Sequence, residues 1–439
     1  MNVLWLVLSR ISSQALAAVL VIFVARRLGQ SGLGQYAFIT AVVFLGNTVS
    51  TFGLDTLVIR AIGRGRRMDG ALLGAALWLQ LALSLAFVIA IKLSASLLPG
   101  KTPETLLSLQ IYSLSLIPLA FYTLFSAVLR AFERMDLFLV LNLISGLIQA
   151  GGGIVLLLAG ARLFSFMVYL LVSQFLVALI AAIISATRLP HFSVQWKVSL
   201  NLVTRLIQRS WPLASLTVLG ILYQRMGILV VSMISTDALT GWFAAAARIV
   251  EALKIVHYSF LGALFPVLAQ SSYHDRYQTL EVEKSRFLRI FQTDSLRLLL
   301  GLSLVLAVGV TLLARPLVQL LFGDNFGASI PTVKILAWSL IPYAYSAKKS
   351  LELVTQGDER MVLKVTLLSA VLSGFLFMIL TPTLNLVGAS LAALAGESLQ
   401  AAAYLLLTRN RSSRRAASPG PAFFFSSRRS THNRIDPVP

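Results

Sequence analysis

The sequence predicts an all-α integral membrane protein of about twelve transmembrane helices, in two six-helix lobes related by a pseudo-two-fold along the membrane normal. Three observations carry that prediction. The composition is 57% hydrophobic and only 12% charged, with a mean hydropathy of +0.83, outside the range of soluble globular chains. Apolar runs of roughly 20 residues recur along the whole chain, each long enough to cross a ~30 Å hydrocarbon core. One stretch also occurs twice: SLIPLAFYTLFSAVLRAFERM at Ser115–Met135 is echoed by SLIPYAYSAKKSLELVTQGDERM at Ser339–Met361.

Taken in order, the apolar windows place spans at roughly 3–25, 34–57, 71–98, 105–129, 137–159, 163–187, 211–235, 240–268, 293–314, 331–355, 362–382 and 386–408. The first starts at once, with no basic leader and no small-residue cleavage site, and reads as a span rather than a removable signal. The N-terminal lobe is expected over 1–190, an inter-lobe linker over 191–210 and the C-terminal lobe over 211–408. Residues 409–439 are basic and punctuated by proline, a composition that cannot bury a core and predicts a disordered tail.

Charge sets the orientation. Arg60, Arg64, Arg66 and Arg67 follow span 2, Arg130 and Arg134 follow span 4, and Arg188, Lys197, Arg205 and Arg209 follow span 6. Arg276, Lys284, Arg286 and Arg289 follow span 8, and Arg360 and Lys364 follow span 10, whereas the alternate loops are poor in Lys and Arg. The positive-inside rule then places the even-numbered loops and both termini in the cytoplasm. A formal net charge of +20 is therefore read as topology rather than as a nucleic-acid surface. The chain has no cysteine, which excludes disulfides and thiolate metal sites, and its four histidines form no ligand-spaced cluster. Neither a metal nor a cofactor is expected.

The twin SLIP segments fall in spans 4 and 10, six spans apart. An even separation means that both halves enter the membrane in the same direction, as parallel repeats do. A second pair agrees: Gly-Gln-Tyr-Ala at Gly34–Ala37 opens span 2, and Gly-Trp-Phe-Ala at Gly241–Ala244 opens span 8. Pro118 and Pro342 each remove a backbone donor in mid-span and predict a kink, more often a static bend in a wall than a hinge. Counted from the prolines without gaps, Leu124, Phe125 and Val128 of the first copy stand opposite Lys348, Lys349 and Glu352 of the second.

Ionisable residues inside spans mark partners or watery cavities, because leaving them bare in lipid is costly. They are Arg10 in span 1, Asp55 and Arg60 near the end of span 2, Arg225 in span 7, and Arg248, Glu251 and Lys254 in span 8. Lys348, Lys349 and Glu352 follow in span 10, and Glu397 in span 12. Cations outnumber acids and come from both halves, which predicts a positive cavity. Arginine grips phosphate oxygens through paired hydrogen bonds and lysine offers a point charge, so the expected ligand is anionic. Each residue also has a structural reading. Arg248, Glu251 and Lys254 lie three apart and can neutralise one another on one helix face. Arg60, at a membrane edge, can snorkel to hold topology. Arg10 and Arg225 have no acid at i±3 or i±4 and are the strongest candidates for ligand contact.

ARRLGQSGLGQYAF (Ala25–Phe38) and FGLDTLVIRAIGR (Phe52–Arg64) resemble the start of the polysaccharide-biosynthesis lipid flippases of the multidrug/oligosaccharidyl-lipid/polysaccharide exporter superfamily. LYQRMGILVVSMISTDALTGWFAAAARIVEAL (Leu222–Leu253) resembles that family's spans 7 and 8, and LLARPLVQLLFGDNF (Leu312–Phe326) its loop between spans 9 and 10. The chain departs at Gly227, where relatives often carry an acid. The resemblance implies an alternating-access transporter that flips undecaprenyl-pyrophosphate-linked oligosaccharide, with membrane lipids and other polysaccharide-assembly proteins as partners. A multidrug exporter of the same superfamily is the alternative, although span 1 holds Arg10 and no acid for binding cations. IRAIGRGRR (Ile59–Arg67) mimics only the basic part of a major-facilitator motif. A membrane polymerase or ligase would need catalytic groups on long external loops, and the short loops here carry no such constellation.

Overall fold

A computed structural model of the chain describes residues 2–65, 70–95, 100–189, 192–197, 199–274 and 295–417. Most of the basic loop expected over 269–292, and the tail beyond 417, lie outside the described residues. Helices account for nearly all of the rest, and no strand occurs among the described residues. The N-terminal half holds α1 (Asn2–Thr51), α2 (Leu54–Gly65), α3 (Gly70–Ser94), α4 (Pro103–Ser113), α5 (Leu116–Ala131), α6 (Met135–Leu147), α7 (Gly153–Leu158) and α8 (Leu163–Arg188). The C-terminal half holds α9 (Leu200–Ile234), α10 (Asp237–His274), α11 (Ser295–Phe322), α12 (Ser329–Ala337), α13 (Leu340–Thr355) and α14 (Glu359–Ala417).

Among the described residues, eight segments are long and apolar enough to cross a membrane, against twelve expected spans. Two of them, Ile11–Thr51 and Glu359–Leu407, each cover most of two predicted spans. These are separated by a break in helical geometry, at Gly29 (φ 70°) in α1 and at Asn385 (φ 50°) in α14. Two more predicted spans, in α10 and in α12–α13, fall outside the apolar set. α10 carries Arg248, Glu251 and Lys254 in its middle, and α13 carries Lys348, Lys349 and Glu352. Large apolar side chains such as Leu93, Leu312 and Leu320 are more than 70% exposed on the outside of the bundle. Water does not tolerate such a surface at this extent, and lipid does.

The twin SLIP segments break their helices in the same way. Pro118 and Pro342 have no N–H to offer the carbonyls of Leu114 and Trp338. Ile117 and Ile341 donate to those carbonyls instead, at 3.1 and 3.4 Å. One turn earlier, Leu114 and Ser115 bond three residues back to Ile111 and Tyr112, as Trp338 and Ser339 do to Ile335 and Leu336. Each proline span is therefore two helices joined by a tighter 3₁₀-like turn. The far ends match as well. Glu133 (φ 57°) and Gly357 (φ 78°) are both left-handed. Arg134 and Asp358 reach back five residues to Leu129 and Leu353, the Schellman closure. Glu133 is thus the counterpart of Gly357, and the two Glu-Arg-Met triplets are offset by two residues. SLIP marks equivalent positions, whereas the second triplet opens the next helix, α14.

The halves touch through the other repeated pair. Gly34 on α1 packs against the carbonyl of Asp237, and Gly241 on α10 packs against the carbonyl of Gln30. In both cases the partner lies four residues before the opposing glycine, as a two-fold axis requires. A Cβ on Gly34 would stand 2.9 Å from the nitrogen of Gly241, and one on Gly241 3.1 Å from the nitrogen of Gly34, so only glycine allows this approach. Around it lies one core shared by both halves, with Leu33, Phe38 and Ile39 meeting Phe243, Ala245 and Val250. Toward the opposite end the cores part. Leu54, Val58, Leu124 and Val128 form one in the N-terminal half, while Leu353, Val365 and Tyr404 form another in the C-terminal half. The predicted linker is partly helical, since α9 begins at Leu200 and buries Leu206 in the N-terminal core.

Candidate functional site

Pairing is the usual fate of charge inside an apolar bundle, and here pairs form both along helices and between them. Glu251 on α10 accepts from two arginines: Oε1 from Arg225 Nη1 of α9 at 3.2 Å, and Oε2 from Arg248 Nη1 at 3.3 Å. Two cations on one carboxylate leave a surplus positive charge. The cluster sits where the halves meet, because the Arg225 guanidinium lies 5.1 Å from the centre of the Phe44 ring on α1. Arg225 Nε is buried with no hydrogen-bond partner among the described residues. A dry donor without an acceptor costs about 1–3 kcal/mol, a cost that an anionic ligand oxygen would remove.

One turn further along α10, Lys254 leaves this cluster. Its Nζ meets Glu397 Oε1 of α14 at 2.7 Å and lies 4.2 Å over the ring of Tyr343 on α13. The expectation that Arg248, Glu251 and Lys254 neutralise one another therefore holds only for the first two. Glu397 Oε2 is buried and unpartnered among the described residues. On α13, Lys348 and Lys349 both reach Glu352, at 3.3 and 2.8 Å, forming a second cluster with a surplus cation. Adjacent helical residues point about 100° apart, and the long lysine stems close that angle onto one carboxylate.

Among the described residues, the N-terminal half holds fewer of the charge pairs. Asp55 on α2 meets Arg130 on α5 at 3.5 Å rather than the nearby Arg60, and Arg60 is exposed. The side chain of Arg10 lies outside the described residues. Arg225, expected to lack a partner because none stands a turn away in sequence, finds one on the neighbouring helix. An acid at Gly227 would crowd its neighbours, since a Cβ there would lie 3.0 Å from both Phe243 and Phe377.

Sequence reasoning missed one buried pair. Lys101, just before α4, lies 3.0 Å from Asp237 at the start of α10. Its side chain is 1% exposed and that of Asp237 11%. Lys101 Nζ also donates to Ser232 Oγ and lies 4.7 Å from the centre of the Phe38 ring, while Gln35 donates to Asp237 Oδ2 at 3.0 Å. This network ties the halves together beside the Gly34–Gly241 contact. Both charges fall at the ends of apolar windows, where a loop assignment hides them.

A family model described as polysaccharide biosynthesis protein matches residues 1–272. Among solved structures, the lipid II flippase MurJ in an inward closed conformation is similar at 14% identity, over 93% of this chain and 87% of that one, with a TM-score of 0.73. An inward-facing multidrug resistance MATE family transporter of the MOP superfamily is similar at 18% identity, over 93% and 96% of the two chains, with a TM-score of 0.69. A MOP superfamily transporter from Pyrococcus furiosus is similar at 15% identity, over 93% and 94%, with a TM-score of 0.57. No curated protein matches the chain closely enough to count as a relative. With more than half of its length matched by the family model, the chain belongs to the polysaccharide biosynthesis protein family, built on the fold of MOP-superfamily transporters.

Proposed function

We propose that this protein is a flippase. It moves an undecaprenyl-pyrophosphate-linked oligosaccharide from the cytoplasmic to the outer leaflet of a bacterial cytoplasmic membrane, and it breaks no covalent bond. One observation carries the reading: the Arg225–Glu251–Arg248 cluster, with its surplus charge and its unpartnered Nε, stands where the two halves meet. A pyrophosphate offers that cluster several acceptor oxygens and the compensating negative charge. The lipid remains in the bilayer while the charged, hydrated head passes along the cationic face of the C-terminal half. Lobes over 1–190 and 211–408 rock about the line of contact, as parallel repeats do. With the termini on the cytoplasmic side, the Gly34–Gly241 contact is an outer seal, and the parted cores open toward the cytoplasm. Other polysaccharide-assembly proteins supply and consume the lipid.

Proteoliposomes separate this reading from a multidrug exporter. Translocation of a fluorescent pyrophosphate-linked glycolipid, with no accumulation of a cationic dye, is the expected result. Dye transport without glycolipid movement would overturn it.

A further inference from the structure

Beside the cationic cluster runs an apolar groove of about 420 Å³. Its walls come from both halves: Val42 and Leu45 of α1 and Phe87 and Ile91 of α3 face Met226 and Val230 of α9. Ser94 is the one polar side chain in its lining. Its floor is deep, for Phe38, Leu109 and Leu229 are all less than 10% exposed. The volume falls in the range of small-molecule sites and exceeds the gaps left by ordinary helix packing.

The groove and the cluster meet at one level of the bundle. On α9, Arg225 and Met226 are consecutive and point about 100° apart, one toward Glu251 and the other into the groove. On α1, Phe44 lies beneath Arg225, and its neighbour Leu45 lines the groove. A molecule with an anion at the cluster thus has its first apolar carbons at the groove mouth. We infer that the groove holds the proximal isoprene units of the lipid whose diphosphate engages Arg225 and Arg248. This rests on the proposed function and adds a site for the tail. Because α1 and α3 form one wall and α9 the other, rocking of the halves changes the groove width. Tail binding is thereby coupled to the conformation of the protein, and the tail is gripped during the flip rather than trailing freely in the bilayer.

The test compares reconstituted wild type with Val230→Trp, which fills the groove and leaves every charged residue in place. Two fluorescent diphosphate-linked sugars serve as probes, one on an undecaprenyl tail and one on a short methyl tail that cannot reach into the groove. Wild type is expected to flip the long-tailed lipid about tenfold faster than the short-tailed one, since each buried methylene adds to the grip. Val230→Trp should slow the long-tailed lipid to the short-tailed rate and leave the short-tailed rate unchanged, which also shows that the variant is folded. Equal slowing of both probes, or no slowing of either, would overturn the tail site while leaving the flippase reading intact. Equal flipping of both probes by wild type would overturn it too, as expected if ordinary acyl chains fill the groove. If wild type moves neither probe, both proposals fall.

Discussion

At the scale of single residues, the site is defined by who pairs with whom, and that is what one sequence shows least. The span charges were legible individually: Arg225, Arg248, Glu251, Lys254, Lys348, Lys349, Glu352 and Glu397 all stand out against apolar surroundings. Their partners were not. Arg225 looked isolated because helical spacing reveals only neighbours on the same helix, and its acid comes from α10. Lys101 and Asp237 were invisible for the opposite reason, since each sits at the edge of a polar segment where charge is unremarkable. Burial makes that pair consequential. Replacing Lys101 by Met leaves a carboxylate in a dry contact between the halves, at a cost of about 3–5 kcal/mol. Thermal unfolding in detergent should show a clear fall for Lys101→Met, with most of it recovered in Lys101→Met/Asp237→Asn. Stability unchanged in the single variant would mean that the pair does not hold this end.

At the scale of elements, the repeat was the most informative part of the sequence. SLIP identified two spans with the same proline-driven break, because a missing N–H at a fixed point forces the same local rearrangement twice. The Glu-Arg-Met triplets misled by two residues, since what ends each span is a left-handed residue, Glu133 or Gly357, and not a particular side chain. Chain identity is a poor guide to such closures; backbone geometry is a good one. The copies also differ where it matters. Leu124, Phe125 and Val128 are buried in the N-terminal core, whereas their counterparts Lys348, Lys349 and Glu352 form a charged cluster. One fold therefore supports either chemistry at these positions. Converting the second copy to the first, with Lys348→Leu, Lys349→Phe and Glu352→Val, should leave thermal stability at or above that of wild type, because an apolar replacement often matches a buried ion group. Glycolipid flipping should fall at least tenfold, the loss of one charge-assisted contact. Wild-type flipping in this variant would show that the second cluster is structural.

At the scale of the whole molecule, the fold follows from duplication plus asymmetry. Duplication gives paired breaks, paired closures and the reciprocal Gly34–Gly241 contact, where each glycine meets the carbonyl four residues before the other. Those four-letter matches in the sequence were weak alone and gain their meaning from meeting in space. Asymmetry gives the C-terminal half most of the buried cations, so that one side of the interface carries the charge and the other contributes Phe44 and apolar walls. The span count was less legible, because hydropathy fails in α10 and α13, where the candidate site lies. The central claim is that a surplus guanidinium charge between the halves moves a diphosphate. Its most direct measurement is the rate of flipping of an undecaprenyl-diphosphate glycolipid by reconstituted Arg225→Ala/Arg248→Ala, beside Arg225→Lys/Arg248→Lys. The account predicts at least a hundredfold loss in the alanine variant, about two charge-assisted contacts, with partial recovery in the lysine variant. A folded alanine variant that flips the lipid at the wild-type rate would contradict it.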